Sequence, residues 1–194
     1  MTSSWTVRQV VERAVALGLV DEPADPWGYK LDEPFENYGK PDRPLLGLLE
    51  VLGIVFEADY KLFRGLSDGT DEERLEIYQY CLEEVAGATR GRITLTDVEL
   101  VDVEGEQRLR FRSNGKLVEW PLVPGEHEEV EAQLTFGTNL EDLLPADLPQ
   151  EWCHVDSPYE PGDAPAYIFA DPAALAELAR PFGLTFHTWP RPRS

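Results

Sequence analysis

The side chains whose types and spacing approach a reactive centre are few: three histidines, two cysteines and one acidic turn. Cys153 and His154 are the only adjacent Cys/His pair in the chain. On a strand, neighbouring side chains point to opposite faces, so these two cannot readily share a metal or act as nucleophile and base. A reactive Cys153 would need His127 or His187 brought alongside by the fold; the plainer reading is a buried core thiol. His127 lies within Glu126-His127-Glu128-Glu129. One imidazole among carboxylates could contribute to a metal site, but a divalent ion needs several converging ligands, and acidic runs commonly form a solvated face. Asp156, Glu160 and Asp163 crowd a turn-rich segment after His154. Paired carboxylates there could exchange protons with a substrate or hold a hard cation. Their spacing matches no calcium loop, and Asp, Ser, Pro and Gly are ordinary turn residues.

A second constellation suits binding rather than catalysis. Trp27, Tyr29, Phe35 and Tyr38 interleave with Asp25, Asp32, Glu33 and Glu36 in the Pro- and Gly-rich stretch 21–44. Exposed rings can anchor a basic protein partner while carboxylates steer it; the alternative is a wrapped connection whose rings pack inward. The chain has no Gly-rich phosphate loop, no H-E-x-x-H and no paired C-x-x-C, which removes the motifs of several common enzyme classes. No cofactor is implied.

Charge narrows the partners further. Thirty-seven acids against 17 Lys and Arg give a formal charge of −20. Nucleic acid requires a basic footprint and is excluded as a direct ligand, and anionic membrane surfaces are disfavoured for the same reason. A basic protein fits; a charge that serves solubility alone is the competing reading. Two cysteines make no disulfide framework and suit a reducing cytosol. Met1–Val20 does not read as a signal peptide, and no run approaches the roughly 18 apolar residues of a membrane helix. The expected location is cytoplasmic. Scarce lysine beside arginine, with abundant Ala, Leu, Pro and Gly, resembles the output of a GC-rich bacterial genome.

These residues must be positioned by an α+β chain of 194 residues, long enough to bury roughly two-thirds of its unfolded surface without disulfides or metals. Ser4–Leu17 predicts a helix with Val7, Val10, Val11 and Ala14 on one face. Pro44 opens an apolar helix through Leu52. Thr70-Asp-Glu-Glu73 fits a capping box, and Leu75, Tyr78, Cys81, Leu82 and Val85 mark the buried face of the helix it starts, which ends at Gly87 or Gly91.

Beyond Gly91 the apolar period falls to two. Asn114-Gly115 predicts a two-residue hairpin turn setting Phe111 against Val118, Leu109 against Trp120 and Arg110 against Glu119. A turn at Glu104-Gly105 then places Leu100 against Leu109 and Val98 against Phe111. The result is a three-stranded antiparallel meander over about 93–122. Residues 126–144 fit helix and strand equally. Trp152–Val155, Ala166–Phe169 and Leu184–Trp189 read as strands, with a short helix opened by Asp171-Pro172 between the last two. The expected layout is a helical N-terminal half followed by a mainly antiparallel sheet with a C-terminal helix. It forms a single domain of residues 1–194, or a helical subdomain 1–90 followed by a sheet subdomain 91–194.

The hairpin Arg110–Trp120, the strand approach Gly162–Phe169 and the helix Asp171–Leu178 follow one another in an order that resembles bacterial immunity-type proteins encoded beside polymorphic toxins. The resemblance spans about 93–189 and transfers no site residues. It implies a non-enzymatic protein that binds and blocks a toxin, often a basic nuclease. The reading carried forward is a cytosolic binding protein presenting an acidic surface to a basic partner. Its rivals are a metal-assisted or acid–base enzyme built on His127, His154, Asp156 and Asp163, and a domain whose acidity serves only solubility.

Overall fold

The computed structural model describes residues 5–21, 31–32, 34–35, 44–145, 147–155 and 165–188. Helix α1 (Val7–Ala16) starts at a capping box in which Thr6 and Gln9 satisfy each other's backbone N–H groups, and it buries Val7, Val10, Val11 and Ala14. Helix α2 (Pro44–Val51) opens on its proline. A short strand β1 (Val55–Glu57) and a 3-10 turn (Tyr60–Phe63) lead to the long helix α3 (Asp71–Ala88), capped reciprocally by Thr70 and Glu73. Gly87 lies inside α3, and the helix stops where Arg90 and Gly91 both take positive φ.

Strand β1 pairs with β6 (Ala166–Ala170), which pairs with β5 (Glu151–Val155), which pairs with β7 (Phe186–Thr188), all antiparallel. The α+β class holds, but the expected helical N-terminal half is corrected by β1, which enters the sheet early and lies against a strand from the far end of the chain. Three residues are too few to display a period of two, so Val55-Phe56-Glu57 gives no strand signal in the sequence. The last strand is also shorter than expected, since Leu184 and Thr185 precede it.

The two faces of this sheet serve two cores. Phe56, Trp152, Tyr167 and Phe169 belong to one, together with residues of α3 and of the meander. Cys153, Ala166, Ile168 and Ala170 belong to the other, with α1, α2 and α5 (Pro172–Ala179). Every side chain of β6 is therefore buried. A fully enclosed Trp152 or Phe56 contributes about 1.5–3 kcal/mol by removing its apolar surface from water.

Strands β2 (Leu95–Val103), β3 (Glu106–Ser113) and β4 (Lys116–Pro121) form the meander. The pairs Leu109–Trp120, Phe111–Val118, Arg110–Glu119 and Leu100–Leu109 stand as the turns predict, and Asn114 and Gly115 both take the positive φ of a tight hairpin turn. The expected Val98–Phe111 pair does not form, because the β2–β3 register shifts between Thr96 and Glu99 and Asp97 takes a φ of 55°. Such a bulge leaves two residues opposite one.

Helix α4 (Glu128–Asn139) occupies the stretch that the sequence left open. Ala132 and Phe136 face the core while Val130 and Leu134 lie exposed, so its most apolar residues are split between inside and outside and blur the helical period. Phe136 packs against Phe63, Tyr78 and Trp120, tying α4 to α3 and to the meander.

Candidate functional site

Asp156, Asp163, Trp27, Tyr29, Glu33, Glu36 and Tyr38 lie outside the described residues. The two described members of the aromatic–acidic stretch part company. Phe35 is 2% exposed, its N–H donates to the Trp5 carbonyl at 2.7 Å and its ring meets Phe182 at 4.8 Å. It is a packing residue and presents no ring to a partner. Asp32 is exposed and accepts a hydrogen bond from Arg8 Nε at 3.1 Å.

The histidines also separate. His127 sits exposed at the N-cap of α4 and makes no side-chain cap bond. His154 is half-buried on β5, and its cross-strand partner is His187 of β7, with ring centroids 5.7 Å apart. Cys153 projects to the other face of the sheet, where burial pushes its thiol up to about 12. Burial does the same to Cys81 in the opposite core. Neither thiol is poised as a nucleophile at neutral pH. Among the described residues, no group of three His, Cys, Asp or Glu side chains is placed to hold a metal ion.

What the fold does assemble is a one-signed surface on α3. That helix carries Asp71, Glu72, Glu73, Glu76, Glu83 and Glu84, all exposed, and a single base, Arg74, which is turned inward. Arg74 Nε and Nη2 donate to Glu128 Oε1 at 3.1 and 2.5 Å, and Tyr78 donates to the same oxygen at 3.0 Å. Asp71 and Gln107 accept the remaining contacts of the guanidinium. Burial alone would weaken the charge on Arg74; the hydrogen bond to Glu128 and its charge outweigh that, and the pKa stays raised. The one cation of the helix is thus consumed internally.

Beside this acidic face lies an open depression of about 540 Å³. Leu62, Ile77 and Tyr80 supply its apolar lining, Asp68, Glu73 and Glu76 its charged lining, and among the described residues no base contributes. The Tyr80 ring is 49% exposed. Its hydroxyl pKa is raised, chiefly by the charge of Glu84. Glu73 is held below the usual carboxylate range by the N–H and hydroxyl of Thr70, so it stays ionised as the cap of α3.

One wall, residues 65–69, is fixed from α4. The Glu129 carboxylate accepts from the Ser67 hydroxyl and from the Ser67 N–H at 3.4 Å, and its pKa is lowered, first by that hydroxyl. The wall turns tightly at Gly69, where a β-carbon would lie 2.7 Å from the Gly65 carbonyl oxygen. Only glycine fits there without a shift.

Sequence reasoning put the aromatic–acidic surface in the 21–44 stretch and read α3 mainly for its buried face. What could not be read was that Arg74 faces inward and that the 65–69 wall comes to stand beside Tyr80. The chain matches no protein-family model, no curated protein and no solved structure.

Proposed function

We propose that this chain is a non-enzymatic binding protein that receives a basic segment of a partner protein in the depression beside α3, as an immunity-type protein would receive a basic toxin. The observation that carries the reading is the composition of that depression: three carboxylates and a half-exposed tyrosine over Leu62 and Ile77, with no base among the described lining residues. Carboxylates steer and orient a cationic partner, while the tyrosine and aliphatic groups offer the desolvated contacts that carry most binding energy. Neither described thiol and none of the described histidines lines it; its carboxylates and apolar groups suit recognition.

The test uses a short peptide of alternating arginine and leucine, titrated into the whole protein and followed by backbone amide NMR. Shifts are expected at Asp68, Glu76, Ile77 and Tyr80, weakening steeply between about 0.05 and 0.5 M salt. The double variant Glu76→Lys, Tyr80→Ala, both at exposed positions, should bind about tenfold or more weakly. Shifts clustered elsewhere, or an affinity indifferent to salt, would sink the proposal.

A further inference from the structure

The four-stranded sheet brings together two groups that lie far apart in the chain. Strand β5 is central, paired with β6 on one side and with the short edge strand β7 on the other. In the β5–β7 register His154 stands directly opposite His187. Directly opposed residues of an antiparallel pair project to the same face, with β-carbons about 4.5–5.5 Å apart. Adjacency along β5 parts Cys153 from His154, because the thiol goes to the opposite core. Pairing across the strands does the reverse for the two imidazoles.

The ring geometry carries the argument. The two centroids are 5.7 Å apart and the ring planes are inclined by 35°. Two imidazoles that share a divalent ion at about 2.0–2.1 Å from one nitrogen each, at a near-tetrahedral angle, have centres about 5 Å apart. The pair therefore has to close by only about half an ångström, a small change in side-chain torsion within one rotamer. His154 is half-buried and flanked on its other side by Tyr167, which is 3% exposed, whereas His187 lies at the surface. One ring is thus set by the sheet around it, and the other stands where an ion can enter.

Imidazole nitrogen suits borderline transition ions such as Zn²⁺ and Cu²⁺, while Mg²⁺ and Ca²⁺ prefer oxygen donors. A formal charge of −20 draws cations toward the chain. Among the described residues no third His, Cys, Asp or Glu joins the pair, which leaves the other positions to water. We propose that His154 and His187 form a two-imidazole site for a divalent transition metal, each ring giving one neutral nitrogen to the ion. The metal would fasten β7, which meets β5 over only three residue pairs, to the centre of the sheet. The site is separate from the α3 groove, since neither histidine lines that depression.

Zinc chloride is the probe, titrated into the whole protein near neutral pH and followed by NMR of the imidazole rings and backbone amides. Saturable shifts are expected at His154, His187 and their strand neighbours, with half-saturation below about 0.2 mM. A large excess of Mg²⁺ should leave them in place. His154→Ala and His187→Ala should each weaken Zn²⁺ binding about tenfold or more, and the double variant should bind little worse than either, because the two rings act as a unit. His127→Ala should bind as the parent does. Zn²⁺ should also raise the thermal unfolding temperature of the parent but not of His187→Ala, as a ligand of the folded state does. Should His154→Ala unfold, His154→Phe replaces it, keeping a ring without a donor nitrogen, and is expected to show the same loss. Shifts centred on His127 or on the α3 carboxylates, displacement by Mg²⁺, binding that survives either single substitution, or no saturation below about 0.2 mM overturns the proposal.

Discussion

Replacing Glu128 by alanine would strand the Arg74 guanidinium in the core and tests whether the α3–α4 junction is held as the geometry implies. Arg74 and Glu128 side chains are 7% and 2% exposed, and a single oxygen, Glu128 Oε1, accepts from Arg74 twice and from Tyr78 once. Removing one partner of such a buried pair costs about 3–5 kcal/mol, because the remaining charge keeps only the exposed Asp71 as counter-ion. At about 2–4 °C per kcal/mol for a chain of this size, the melting temperature should fall by roughly 6–20 °C. Glu128→Gln keeps the volume and one acceptor and should lose less, about 1.5–3 kcal/mol. The double variant Arg74→Met, Glu128→Leu removes both charges and should be more stable than Glu128→Ala alone, since apolar residues of similar volume commonly match a buried pair. Urea and thermal unfolding followed by circular dichroism supply the measurement. A Glu128→Ala loss below about 1 kcal/mol, or a double variant less stable than the single one, would refute the reasoning.

Two further outcomes concern the wall of the groove. Gly69→Ala places a methyl group against the Gly65 carbonyl oxygen and should cost about 1–3 kcal/mol in urea unfolding; a neutral result would show that the wall yields freely. The Glu129 carboxylate has a lowered folded pKa, so its contribution is present above the ordinary value of 4.5 and is lost as pH falls through the lower folded one. Glu129→Gln should therefore be less stable than the parent at pH 7 by under about 1 kcal/mol, with the gap closing below the carboxylate range; a gap that widens in acid would contradict the assigned hydrogen bonds.

Legibility in the sequence tracked how local the determining interactions were. The meander could be read because two tight turns and alternating apolar residues fix the register of Leu109 with Trp120 and Phe111 with Val118 from within a short span. The bulge at Asp97 lay beyond that reading, since a positive φ at an aspartate has no pattern signature. Helix α3 was legible from its capping box, but the inward turn of Arg74 depends on Glu128 and Gln107, brought to it by α4 and β3. Strand β1 was hidden for the same reason, as its partner is β6. Phe35 looked like a surface anchor because ring and acid alternate around it, whereas Phe182 and the Trp5 carbonyl draw it inward.

The distribution of charge bears on whether acidity serves binding or only solubility. On the meander, acids and bases meet across the strands. Arg108 lies 3.2 Å from Glu106 and 3.8 Å from Glu119, Arg110 lies 2.7 Å from Glu119 and 3.5 Å from Glu99, and Arg112 lies 3.2 Å from Asp97. Opposite charges at such range largely cancel in the field felt by a distant partner. On α3 such cancellation is confined to Asp71, because its single base is turned inward onto Glu128 and reaches only that one of the six exposed acids. A formal charge of −20 spread evenly would repel other copies of the chain from every direction. Largely offset over the meander and almost unopposed along α3, the same charge gives the molecule a directional field, with the Tyr80 depression beside its source. Solubility needs no direction; steering a basic partner does.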